Sequence, residues 1–186
     1  MPITVHIKEG RGWNPKTNEF VSYKDTTLTL EHSLISLSKL ESMYQRPFLS
    51  KRKEDTLTSK EIKDYIKCMS MKPIQDENVL LGLTNNDLKV IFDYINDPHT
   101  ATTIREDPRA PKRPSRETVT AELIYYWMIA YNIPFSCEKW HLNNLLTLIH
   151  VCAIKNQPPK KMSKNEIMRQ NRALNNQRKA KYHTRG

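Results

Sequence analysis

The stretch LIYYWMIAY, Leu123 to Tyr131, is nine consecutive apolar or aromatic residues. That falls far short of the ~20 residues a membrane-spanning helix needs. A helix apolar on every side must instead be covered by the rest of its chain, so the run predicts a core around itself. Asn132 and Pro134 end the helix, and Ser136 is placed to cap the next one, CEKWHLNNLLTLIHVCAI. There Trp140, Leu142, Leu145, Leu146, Leu148, Ile149, Val151 and Ile154 point in most directions around the axis. These two helices are the expected central pair. Trp140 and the aromatics Tyr125, Tyr126 and Trp127 read as packing residues rather than a base-stacking platform, and so do Met69, Met71 and Met128.

Upstream, the chain begins as β. PITVHI alternates, with Ile3, Val5 and Ile7 on one face; EGRGWNPKTNE is rich in turn formers, and FVSYKDTTLTL resumes an extended pattern. The expectation is one small hairpin over residues 1–28, its loop near Gly10 to Asn18. Thr29 is then the expected cap of a helix in which Leu30, Leu34, Leu37, Leu40 and Tyr44 share a face before Pro47 stops it. In TSKEIKDYIKCM, Thr58 and Glu61 have capping-box spacing, with Ile62, Tyr65, Ile66 and Met69 as the apolar stripe. TNNDLKVIFDYIND repeats that logic, Thr84 being the cap and Leu88, Ile91, Phe92 and Ile95 the stripe. Residues 105–117, REDPRAPKRPSRE, hold three prolines among many charges and read as an exposed loop. The fold class expected is mainly α: a small N-terminal β-hairpin (1–28), a helical core domain (29–157) and a basic C-terminal helical arm (158–186).

The sequence carries few of the patterns that chemistry requires. Cys137, His141, His150 and Cys152 cluster in sequence, but on one helix Cys152 lies roughly 16 Å along the axis from His141. Ligands to one zinc ion must lie within ~2.3 Å of it, so these are expected to be structural residues and no metal is predicted. Gly10 and Gly12 lack the Lys-Ser/Thr or helix start of a phosphate loop. No nucleophile elbow, HExxH or kinase motif occurs, and acid pairs such as Glu106–Asp107 sit in polar stretches. Catalytic residues and cofactors are therefore not predicted, and the chain is read as a non-enzyme. Three cysteines at irregular spacing argue against a disulfide framework, which suits a reducing cytoplasm.

The charge is concentrated at one end. Lys155 to Gly186 holds ten Lys and Arg and one acid, Glu166, whereas Met1 to Ile154 carries the remaining 20 basic and 19 acidic residues of a chain at net +10. Ser163 and Glu166 have capping-box spacing and open a predicted helix from about Lys164 to Tyr182. Lys161, Arg169, Arg172 and Lys179 lie on one side of its wheel. Lys164, Arg178 and Lys181 lie on another, flanking a thin Ile167–Leu174 stripe with Met168 alongside. Three readings stay open: a polyphosphate binder, a grip on an acidic protein helix, and a solubilising tail. The stripe and the capping box favour a protein partner. The partner-binding residues expected are Lys160, Lys161, Lys164, Ile167, Arg169, Arg172, Leu174, Arg178, Lys179 and Lys181.

Four stretches carry a resemblance: KDTTLTLEHSLISLSKLES, IYYWMIAYNIPF, KWHLNNLLTLIHVCAIKNQPPKKMSKNEIMRQNRALNN, and the basic terminus ending in Gly186. Together they resemble a family of late proteins encoded in the tail-gene region of long-tailed, siphovirus-type bacteriophages. The loops at 50–57 and 98–117 match least, and the chain departs from the family at Leu40, where members have Trp, and Asn144, where they have Arg. The resemblance implies a tail assembly chaperone or another virion-morphogenesis protein. Such a protein holds the tape-measure protein in the host cytoplasm, in many copies, until tail-tube subunits replace it; the resemblance implies that the arm docks onto the tape-measure protein or a neighbouring copy, so multiple copies or self-association are expected. A virion structural protein at the tail or head–tail joint is the alternative, and a nucleic-acid binder using the arm is the next. No membrane association is expected.

Overall fold

The computed structural model of the chain describes residues 2–15, 17–49, 57–104, 118–156 and 164–183. Among these, six α-helices follow two small antiparallel strand pairs, a mainly helical protein. Strand β1 (Ile3–Ile7) pairs with β4 (Thr26–Leu30), with Val5 opposite Leu28, and β2 (Gly10–Asn14) pairs with β3 (Glu19–Tyr23), with Gly12 opposite Val21. Alternation puts Val5, Ile7, Leu28 and Leu30 on the buried face.

The single hairpin expected at 1–28 is thus a pair within a pair; of its expected loop near Gly10 to Asn18, the part Gly10–Asn14 is strand β2 and only the remainder holds the turn. The glycines of β2 serve close packing rather than a turn. A Cβ on Gly12 would lie 2.6 Å from Leu81 Cβ, and one on Gly10 would lie 2.7 Å from Tyr23 Oη. The actual turn follows Asn14 and closes with the Asn18 N–H donating to Asn14 O at 2.9 Å, Asn18 being left-handed at φ 59°. After the second helix the chain returns beside β4: Glu31 N–H donates to Met69 O and Met71 N–H to Thr29 O, both at 2.9 Å.

Helix α1 (Leu34–Tyr44) is capped by Ser33, whose side chain accepts from Ser36 N while Ser36 Oγ accepts from Ser33 N. Thr29, the expected cap, lies inside β4, and Leu30 meets the core from that strand. Helices α2 (Ser59–Met69) and α3 (Asn85–Asn96) begin with the Thr58 and Thr84 capping boxes. Between them runs a 3-10 turn, Glu77–Leu81. Helix α4 (Ala121–Ala130) is capped by Thr120, and a second 3-10 turn, Phe135–Lys139, leads to α5 (Leu142–Lys155). Ser136 lies within that turn and caps nothing. Helix α6 (Lys164–Tyr182) comes last.

The core is two clusters. One gathers the strands, α2, α3 and the first 3-10 turn around Leu30, Ile66, Met69 and Ile91. The other gathers α4, α5 and the second 3-10 turn around Ile124, Met128, Leu142 and Leu145. Helix α1 belongs to both, giving Leu40 to the first and Leu34 and Leu37 to the second. The centre is therefore α1, not the α4–α5 pair. Helix α4 buries Ala121, Ile124 and Met128, whereas Tyr126 (63%) and Ile129 (61%) face solvent, as do Trp140 (44%) and Met71. Buried Glu41 ties the chain just after α1 to the start of α4: Oε1 accepts from Phe48 N at 3.0 Å, and Oε2 from Ala121 N at 2.7 Å.

By internal contacts the chain divides into two compact units, Met1–Ile154 and Lys155–Gly186. The proline-rich loop 105–117 lies outside the described residues.

Candidate functional site

Helix α6 carries the sequence-predicted site. Its 19 residues make a rod about 28 Å long. Every side chain described on it is exposed, including the stripe residues Ile167 and Leu174 and the flanking Met168. Lys164, Arg169, Arg172, Arg178, Lys179 and Lys181 bring six cations to it. Lys181 Nζ stands 5.5 Å from the Tyr182 ring centroid. Lys160, Lys161, Ser163 and the Glu166 side chain lie outside the described residues, so the proposed capping box does too. The cations are distributed around the rod, flanking a narrow apolar seam, and give it reach in several directions instead of one flat basic face.

The body holds a polar constellation that spacing alone did not reveal. His32 lies between β4 and α1, His99 just beyond α3, and His141 immediately before α5. The fold brings their rings together: His99 and His141 stack at 4.0 Å between centroids, 7° from parallel, and His32 meets His141 edge-on at 5.0 Å. His32 Nδ1 and the Tyr65 hydroxyl share a 2.6 Å hydrogen bond. His141 Nε2 lies 3.1 Å from Tyr94 O, so that nitrogen carries a proton and donates it. In the neutral ring Nδ1 is then a bare acceptor; it is buried and has no hydrogen-bond partner among the described residues. The Tyr94 hydroxyl donates to Glu31 Oε1 at 2.6 Å. Asp97 Oδ1 accepts the His99 backbone N–H at 2.9 Å and lies 3.3 Å from His99 Nδ1 without hydrogen-bond alignment.

These groups sit where three elements meet, and backbone bonds lock the same joint. Leu142 N–H donates to His32 O at 2.7 Å, and Ser33 bridges His141 as an antiparallel pair. Burial, reinforced by the neighbouring His141 and His99, holds the His32 pKa down to about 3. Burial and His99 lower that of His141 as well. Burial and the Glu31 carboxylate push the Tyr94 hydroxyl up, and the His99 backbone N–H holds Asp97 down. At neutral pH the imidazoles of His32 and His141 are thus uncharged. Among the described residues no group of three or more His, Cys, Asp or Glu is arranged to hold a metal ion. Cys137 is buried in the second cluster, while His150 borders a cleft on its outer side.

No helix of the described residues is long and apolar enough to cross a membrane. No family model matches the chain, and neither a curated protein nor a solved structure matches it.

Proposed function

We propose that the chain is a non-enzymatic protein of phage tail morphogenesis, a tail assembly chaperone whose basic C-terminal helical arm grips the tape-measure protein. The observation that carries this reading is α6: a rod with six cations around a thin apolar seam, exposed at every described side chain. A helix of this composition is marginal without a surface to dock on. An elongated acidic helix supplies that surface. Ile167 and Leu174 enter its groove and fix the register, and the flanking Lys and Arg steer the encounter and hold its carboxylates.

The work asked of such a protein requires no active site. It requires a folded body and a contact weak enough to be displaced by tail-tube subunits, made effective along a long partner by many copies. The phage-tail assignment rests on the sequence resemblance; the choice of α6 as the gripping element rests on its charge and exposure. The place of action is the host cytoplasm before tail completion.

Binding to tape-measure segments tests the reading. Deleting residues 158–186 is expected to abolish binding and alter tail length, and Arg172→Glu with Lys179→Glu to weaken binding at least tenfold. Unchanged binding and tail length in the deletion would remove the arm from the mechanism. A fixed copy number in purified virions would turn the protein into a structural component. Tight, salt-steep retention on DNA without affinity for acidic helices would assign the arm to nucleic acid.

A further inference from the structure

The last carbonyls of a helix have no partner within it. At the end of α3 they are met by side chains from the start of α5. His141 Nε2 donates to Tyr94 O at 3.1 Å, and Asn143 Nδ2 donates to Ile95 O and to Asp97 O, both at 2.8 Å. Between them Leu142 N–H donates to His32 O at 2.7 Å, so residues 141–143 also hold the turn from β4 into α1. His99 closes the assembly. It stands on left-handed backbone at φ 48° just beyond α3 and lays its ring on that of His141. The Nδ1 atoms of His99 and His141 are buried and have no hydrogen-bond partner among the described residues.

We infer that this interlock between α3 and α5 is an acid-sensitive latch, which opens locally while the strands, α2 and α4 stay folded. A proton added to neutral His141 goes to Nδ1, where no acceptor meets it. The charge then stands 4.0 Å from the His99 ring and 5.0 Å from the His32 ring, between centroids. A buried charge without a partner is costly, and carrying the rings into water removes the cost. The groups facing the three imidazoles are Tyr65 from α2, Tyr94 from α3, Glu31 from the turn after β4, and Asp97 beside His99, with the amino terminus also acting on His141. Neither carboxylate is hydrogen-bonded to the His32 or the His141 ring. Glu31 accepts from the Tyr94 hydroxyl, and Asp97 from the His99 backbone. Proton uptake therefore favours the open form as pH falls. The opening stays local because the clusters on either side, around Ile66 and Met69 and around Ile124 and Met128, contain no imidazole. The two buried carboxylates lie elsewhere, Glu41 against Phe48 and Ala121 and Glu61 at the cap of α2. The inference is independent of the arm's role and concerns the body alone.

Amide hydrogen exchange of the full chain, followed by NMR at about pH 7 and about pH 5 and corrected for the intrinsic rate, tests it. The reporters are the Leu142 N–H on His32 O and the Asn144 and Leu145 N–H groups on His141 O. The controls are the Met71 N–H on Thr29 O and the Ile124 N–H on Thr120 O. On going to the lower pH, protection is expected to fall at least tenfold at the reporters and less than about threefold at the controls. His141→Gln keeps an amide donor for Tyr94 O and removes a titrating ring, and His32→Gln removes the other. Each is expected to shrink the acid-dependent loss at least threefold, and either one that folds decides the matter. Equal loss at reporters and controls overturns the inference, as does no loss at the reporters. So does a loss that persists in the substituted proteins, or one led by the Ala121 N–H, which would place the response at Glu41.

Discussion

Helix α1 interrupts its leucines with Ser36, Ser38, Lys39, Glu41 and Ser42, whereas α4 runs from Leu123 to Ala130 without a charged residue. Yet α1 buries Leu34, Leu37 and Leu40 completely, while α4 turns Tyr126 and Ile129 outward. The difference lies in what surrounds each helix. Helix α1 has the strands, α2 and α3 toward one cluster and α4 with α5 toward the other, so its apolar stripe is met on two sides. Helix α4 is covered on its inner side and open on its outer one. Apolar content states what a segment gains if covered; it does not say that the same chain does the covering.

The largest expected effect tests the centre. Leu37→Ala removes a side chain that is 2% exposed and leaves a cavity in the second cluster beside Ile124 and Leu145. A loss of about 3 kcal/mol in denaturant unfolding is expected. A loss below about 1 kcal/mol would show that α1 does not hold the body together.

The histidine joint binds the same region to pH. His32 is 5% exposed, and its pKa falls from 6.5 in the unfolded chain to about 3 in the fold. Between those values the unfolded chain holds more protons, so stability is full above pH 6.5 and is lost as pH falls toward 3. The groups facing His32 are Tyr65, Tyr94, Glu31, His99 and His141, with Asp97 behind His99. Neither carboxylate hydrogen-bonds the His32 ring. Going from pH 7 to about pH 5 is expected to cost about 2 kcal/mol from His32, with His141 adding in the same direction. His32→Gln is expected to be less stable at pH 7 but to show a flatter dependence. Equal slopes for both proteins would place the acid sensitivity elsewhere.

What was legible from sequence follows the range of the interaction. The Thr58 and Thr84 capping boxes close over three residues, so spacing alone located them. Leu30 fits both the helical stripe of α1 and the alternation of β4, and only pairing with Ile3 decides for the strand. In GRGWN, glycine suggested a turn because the neighbours that make it necessary, Tyr23 and Leu81, come from other elements. His32, His99 and His141 meet only after α1, α3 and α5 are in place, and no local pattern joins them. In α6 the charge and the thin stripe could be read directly, because nothing in its composition depends on distant packing.

The smallest expected effect is the most direct test of the contrast between α1 and α4. Ile129 is as apolar as Leu37 is, but at 61% exposure it has little transfer free energy left to lose. Ile129→Ala is therefore expected to change unfolding by less than about 0.5 kcal/mol. Large destabilisation by Ile129→Ala would instead mean that the outer side of α4 is covered from within, and the contrast with α1 would disappear.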